Sequence, residues 1–304
     1  MTPDTSVRDI MLAARDRHLL VPAFNIAYLP MVEPICRTLA EQDCFALLEV
    51  ARPDIERFGA QSLAAVAEEF RKHADPRYAR LHLDHVPVID EEGRHVDWRA
   101  MLAEGLRLDY HSVMVDGSRL PLEENIAVTR EVVAMAAGYG AAVEAELGAV
   151  FGHESGPLPD YETLLATGQG FTSAEEARRF VAETGVDWLS VAAGNIHGAL
   201  VGARSRAPKL TARLDIPRLQ ALHEATGVPL VLHGGSGIAP ESLLQAAQHG
   251  VTKLNIGTDI RQPYQRVVEE TGDIQKAQQA VAEVVRELVA DRLHLRGLAM
   301  LLLR

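Results

Sequence analysis

Lysine is scarce in this chain: Lys72, Lys209, Lys253 and Lys276 are its only four. None falls at the carboxyl end of a predicted strand, and Lys253 stands at the start of one. No lysine is therefore expected to form a Schiff base with a reacting carbonyl, and any carbonyl chemistry here needs a metal as electron sink. Cysteine is scarcer still. Cys36 and Cys44 cannot build a disulfide framework and fit a reducing cytosol, so a cytoplasmic location is expected. Base is short relative to acid, 30 residues against 42, for a formal net charge of -12. That balance argues against nucleic acid or an anionic membrane as partner. It leaves room for a small phosphorylated ligand, which needs only local positive potential. No apolar run reaches the ~20 residues that span a bilayer, and the polar stretch from Met1 to Asp9 does not read as a leader.

What is present is ordinary globular composition, 47% hydrophobic and 24% charged over 304 residues. Two average domains would fit that length, as would one α/β barrel of ~250 residues with additions. Eight short apolar runs favour the barrel: Val21–Ile26, Phe45–Ala51, Arg80–His85, Ser112–Gly117, Ala141–Leu147, Asp187–Ala193, Leu230–Leu232 and Lys253–Ile256. Helical patterns alternate with them, at about Pro30–Glu41, Ala60–His73, Leu122–Ala137 and Ala174–Thr184. The runs lack polar alternation, as strands buried on both faces do. The expected fold is α/β, a closed (β/α)8 barrel of the TIM type. No linker divides the chain, so residues 1–304 are read as one domain. A C-terminal helical extension from about residue 273 is predicted by apolar spacing through Val284, Leu288, Leu295 and Leu298. Its last stretch is too apolar to lie free and should pack on the barrel or on a second subunit. Two segments break the pattern and read as long irregular connections, Gly148–Thr172 and Gly198–Arg213.

In such barrels the chemistry sits at the carboxyl ends of the strands. Those positions carry Asn25, Glu49, Asp84 with His85, Asp116, Glu146, Asn195 with His197, His233 and Asn255. Three histidines from three strand ends, His85, His197 and His233, can leave a fourth coordination position open, which is a catalytic zinc arrangement that other first-row metals also accept. His82 is strand-interior and reads as a core histidine. Asp84 can move protons beside a metal-bound substrate, or orient a ligand histidine. Glu154, on the first irregular segment, could swing in to exclude water. The last two loops, Gly234-Gly235-Ser236 and Asn255-Ile256-Gly257-Thr258, lie where barrels of this type bind phosphate, each running into a helix start.

With these residues in place the chain resembles the class II, metal-dependent fructose/tagatose-bisphosphate aldolases. The matching stretches are Val21–Ile26, Leu83–His85, Met114–Ser118, Val143–Gly148, Gly194–Gly198, Leu232–Ser236 and Asn255–Thr258. The resemblance implies one catalytic Zn2+ on His85, His197 and His233, with Asp84 as proton donor and Glu154 as loop acid/base. Asp116 and Glu146 match a second, buried metal position, and an additional metal or monovalent cation is compatible. Gly198, Gly234, Gly235, Ser236, Asn255, Ile256, Gly257 and Thr258 match the dihydroxyacetone-phosphate contacts, and Asn25 at the end of the first strand is a further candidate substrate contact. A homodimer or homotetramer is implied as well.

The expected activity is reversible aldol cleavage of a ketose phosphate, such as fructose or tagatose 1,6-bisphosphate, to dihydroxyacetone phosphate and an aldehyde. Two alternatives stay open at this point: a zinc-dependent hydrolase on the same barrel, and a non-catalytic sugar-phosphate-binding paralogue. The chain departs from the family after strand two, where Glu49, Ala51 and Arg52 replace the usual glutamine, serine and their neighbour. A buried unpaired Glu49 would repel phosphate, while Arg52, Arg204 or Arg206 could bind it. These departures predict a changed preference for the aldehyde, away from glyceraldehyde 3-phosphate.

Overall fold

All eight expected strands form. The computed structural model describes residues 5–150, 161–195 and 212–303. The strands are β1 (Val21–Asn25), β2 (Ala46–Ala51), β3 (Ala79–Pro87), β4 (Ser112–Asp116), β5 (Ala142–Leu147), β6 (Trp188–Val191), β7 (Leu230–Leu232) and β8 (Val251–Ile256). They pair in chain order, all parallel, and β8 closes on β1 through Val21–Lys253 and Ala23–Asn255. Nearly every strand residue is buried. One face meets the helical ring and the other fills the barrel interior, which is why no polar alternation marks these strands.

The surrounding helices follow local signals. Leu122–Ala137 and Ala174–Thr184 have the predicted bounds. Ser62, Ser173 and Asp273 cap the helices after them, each accepting a backbone N–H three residues on. Trp98–Arg107 and Ile216–Thr226 complete the ring although no apolar period announces them; Asp97 and Asp215 cap them in the same way. One expectation needs correction. The segment Gly148–Thr172 is not irregular throughout, because Tyr161–Thr167 is helical.

The extension is present. Helix Ile274–Glu287 starts at the Asp273 cap. The last helix, Leu298–Leu303, buries Leu298, Ala299 and Leu302. It docks beside the turn that enters β2, where Gly297 and Ala299 donate N–H groups to the carbonyls of Gln42 and Asp43. Met300 and Leu301 remain exposed. Among the described residues no helix is long and apolar enough to cross a membrane.

The described ends of the connection after β6 meet by a close backbone approach. Gly194 has φ +97°, and a Cβ there would stand 2.2 Å from the carbonyl oxygen of Arg213. Tyr161 joins the two segments by donating to the Gly194 carbonyl at 2.9 Å while accepting from the Arg213 N–H at 2.6 Å. Gly194→Ala should therefore cost roughly 2–4 kcal/mol in stability, through positive φ and overlap together. Urea denaturation measures this, and a change within about 0.5 kcal/mol, as at a neutral surface site, would contradict the steric account.

Candidate metal centre and active site

A local irregularity in β3 builds the centre. The pairing with β4 runs His82–Ser112 and Leu83–Val113, then resumes at Val86–Val115. One extra residue is thus inserted, and His85 takes φ +43°. Successive strand residues normally point to opposite faces, but this bulge aims both Asp84 and His85 at the barrel mouth. A non-glycine residue at such a φ is strained, a cost commonly kept at functional positions.

His233, at the end of β7, meets them there. Its ring centroid is 4.3 Å from that of His85, edge to face. Asn195 fixes the local backbone by donating to the His233 carbonyl at 3.2 Å. Asp84, His85 and His233 offer ligand atoms all within 4.8 Å of one another, as do His85, Asp116 and Glu146. Two imidazoles and three carboxylates in one buried cluster fit a divalent cation by donor chemistry. Glu154, His197 and Gly198 lie outside the described residues.

The electrostatics agree. Burial alone would lower the His233 pKa, but hydrogen bonds to Glu144 and Glu146 outweigh it and hold it at about 10. Burial also disfavours charge on His85, yet the Asp84 carboxylate leaves its pKa raised. For Asp84 burial acts upward, and His85, Lys253 and His233 pull it down to about 2. Asp116 is lowered by its bond from His85 despite burial, whereas burial and the nearby Asp116 charge raise Glu146. Imidazoles and carboxylates thus offset one another in the pocket, and binding a cation there would release protons.

Around this cluster stand the expected substrate residues. Asn255 donates to Asp84 Oδ1 at 3.0 Å, and Asn25 to Asp84 Oδ2 at 3.4 Å. Asn255 Oδ1 has no hydrogen-bond partner among the described residues. Gly234 takes a left-handed φ of 74° and opens the turn Gly235–Gly237. A Cβ on Gly235 would come within 2.9 Å of the Asn255 carbonyl, so only glycine lets the β7 loop lie on β8. Ser236 Oγ accepts the Asp259 N–H at 3.3 Å, tying that loop to the helix Thr258–Thr271. Ile256 is buried within β8, not in the open cavity. Asn25, Gly234, Ser236, Asn255, Gly257 and Thr258 line a cavity of about 630 Å³ with Asp84, His85 and His233, whereas Gly235 does not border it.

Two sequence readings need revision. Lys253 does not merely begin a strand: it is the third residue of β8, fully buried, with Nζ 2.9 Å from Glu144, 3.1 Å from Glu49 and 3.8 Å from Asp84. Glu49 is accordingly neither unpaired nor in the cavity; it faces Lys253 below the floor. Of the strand-two departures only Ala51 and Arg52 line the cavity. Arg52 is engaged by Glu56 at 2.6 Å and Asp90 at 3.4 Å. Sequence reasoning also missed Glu144, although Glu144 and Glu146 stand two apart on one strand and must share a face. Arg57, Arg119 and Arg261 on the cavity wall carried no sequence signal.

An eight-stranded barrel with a histidine–carboxylate cluster at the carboxyl ends of its strands is the frame of a metal-dependent barrel enzyme. The sequence profile of class II fructose-bisphosphate aldolases matches residues 5–299, and the chain belongs to that family. Its activity is that of a class II, metal-binding ketose-bisphosphate aldolase, which removes the hydrolase and the non-catalytic alternatives. Solved structures agree. A protein of Coccidioides immitis described as a fructose-1,6-bisphosphate aldolase is 28% identical, with TM-score 0.77, over 98% of this chain and 99% of its own. The YdjI aldolase of Escherichia coli K12 has the same fold at 24% identity and TM-score 0.73, covering 98% of each chain. So does a fructose-bisphosphate aldolase of Campylobacter jejuni, at 16% and 0.72, over 98% of this chain and 96% of that one.

Removal of divalent metal by a chelator should abolish activity, and readdition should restore it. His85→Ala should lose most of its bound metal in elemental analysis while keeping the circular dichroism of the barrel. Full metal content in that variant would exclude His85 as a ligand.

Proposed function

We propose that His85, His197 and His233 hold one catalytic Zn2+, with Asp116 and Glu146 available to a second metal position. The observation that carries this reading is the convergence of Asp84, His85 and His233 at the barrel mouth. When bound, the metal acts as a Lewis acid toward the ketone and hydroxyl oxygens of the sugar. Asp84 is the proton-transfer group at the aldehyde oxygen. In cleavage it accepts the hydroxyl proton, a role suited to its carboxylate state, and in condensation it returns it. Asn25 and Asn255 orient Asp84, and Asn255 Oδ1 is left to accept from a substrate hydroxyl. Glu154 moves the carbon-bound proton of dihydroxyacetone phosphate.

Gly198, the Gly234–Ser236 loop and the Asn255–Thr258 segment hold the phosphate of that half, where backbone N–H groups and the start of helix Thr258–Thr271 favour an anion. Fructose or tagatose 1,6-bisphosphate is the first substrate to test. Residues 1–304 work as one barrel domain in the cytoplasm. The exposed Met300 and Leu301 on the last helix support a subunit contact in a homodimer or homotetramer.

Solvent-deuterium incorporation into dihydroxyacetone phosphate isolates the first half-reaction. Glu154→Ala should lose it, while Asp84→Ala should retain much of it and lose cleavage and condensation. Each loss should be about 10²–10⁴-fold, as for a positioned proton-transfer group. Equal loss of exchange in both variants would end the division of roles.

Of the two strand-two departures that line the cavity, Ala51 is the one not held in an ion pair. Ala51→Ser adds a hydroxyl there and should raise kcat/KM for phosphorylated aldehydes relative to neutral ones by about tenfold, the worth of one hydrogen bond to a charged group. Condensation rates over an aldehyde panel test this. An unchanged ranking would mean that position 51 does not read the aldehyde.

A further inference from the structure

His233 has a different carboxylate at each ring nitrogen. Its Nδ1 lies 3.3 Å from Glu146, and its Nε2 lies 2.9 Å from Glu144 Oε1. Only one nitrogen can serve a metal, and the surroundings decide which. Glu146 is on the cavity wall and shares a ligand cluster with His85 and Asp116. Glu144 is fully buried and does not border the cavity. Its Oε2 already accepts from Trp188 Nε1 at 2.7 Å and lies 2.9 Å from Lys253 Nζ. The Glu144 carboxylate is thus engaged on both oxygens by Trp188, His233 and Lys253.

We infer that Glu144 is a positioning residue for the metal ligand His233, accepting a hydrogen bond from Nε2–H so that Nδ1 is the nitrogen left for the metal and the ring cannot turn. Carboxylates commonly fix the tautomer and orientation of a metal-bound imidazole in this way and raise its basicity. Lys253 makes the arrangement sustainable. A carboxylate at this depth needs a buried counter-charge, and Lys253 serves Glu144 and Glu49 together. Trp188 donates to the second oxygen, which Lys253 already holds. This inference rests on His233 being a ligand, as proposed above.

Zinc affinity, measured by competition with a chromophoric chelator, gives a readout independent of turnover. Glu144→Gln should bind zinc about 10–100-fold more weakly, the usual effect of losing such a partner. The visible spectrum of its cobalt(II) form should shift, because His233 no longer presents one fixed nitrogen. Trp188→Phe, which leaves the His233 contact in place, should keep affinity close to the unchanged protein; a merely structural role for Glu144 would weaken both variants alike. Glu144→Asp keeps the charge for Lys253 but shortens the reach to His233. It should show the same loss, and serves if Glu144→Gln does not fold. His233→Ala separates the two readings: if it alone loses zinc while folded Glu144 variants keep normal affinity and spectrum, the inference is overturned. Retention of zinc by His233→Ala would overturn the ligand reading and this inference with it.

Discussion

The ammonium of Lys253 is the charge on which the interior of this barrel depends. Glu49, Glu144 and Asp84 are all buried, and Nζ lies within 4 Å of each. An uncompensated buried carboxylate costs several kcal/mol even after relaxation. The neighbouring histidines cannot meet that cost alone, since burial and the Lys253 charge push His82 down to about 3 and leave it neutral. Burial and the Asp84 charge raise Glu49 well above the usual carboxylate range in spite of Lys253. Lys253 and Glu144 stand on β8 and β5, and Glu49 on β2, so the network closes only when the barrel does. Stability and site geometry are therefore one problem here.

Above that floor, backbone irregularity sets the chemistry. A regular β3 would send Asp84 and His85 to opposite faces. The inserted residue and the left-handed backbone at His85 bring both to the mouth, where the proposed function uses one as proton-transfer group and the other as metal donor. The glycines of the β7 loop play the complementary part, allowing the loop to lie against β8 while its N–H groups stay available to an anion. In the proposed function, strand ends carry the metal donors and loops carry the phosphate contacts. That division suits a reaction in which the metal half needs fixed geometry and the sugar must enter and leave.

Much of this was legible in the chain. Eight apolar runs, most of them followed by a helical pattern and with polar residues at or near their carboxyl ends, imply the barrel and the rim, because strand period and barrel closure leave few other solutions. Asp84, His85, Asp116, Glu146, His233 and Asn255 could be named from position alone. The helices Trp98–Arg107 and Ile216–Thr226 could not, since their signals are aspartate caps with no clear apolar period.

By itself the sequence determined the fold class, the family and the residue types at the strand ends, all of which are properties of local order along the chain. Tertiary structure decided how those residues pair. Lys253 looks remote from chemistry in sequence, yet the barrel sets its ammonium beside Glu49 and Glu144, contributed by strands that begin 205 and 109 residues earlier. Glu49 looks like a cavity residue, yet its side chain lies below the floor. Glu144 stands at Nε2 of His233 and Glu146 at its Nδ1, and no spacing rule could supply that. Electrostatic partnership acts through space over a few ångströms, and only the closed barrel brings these charges within that range.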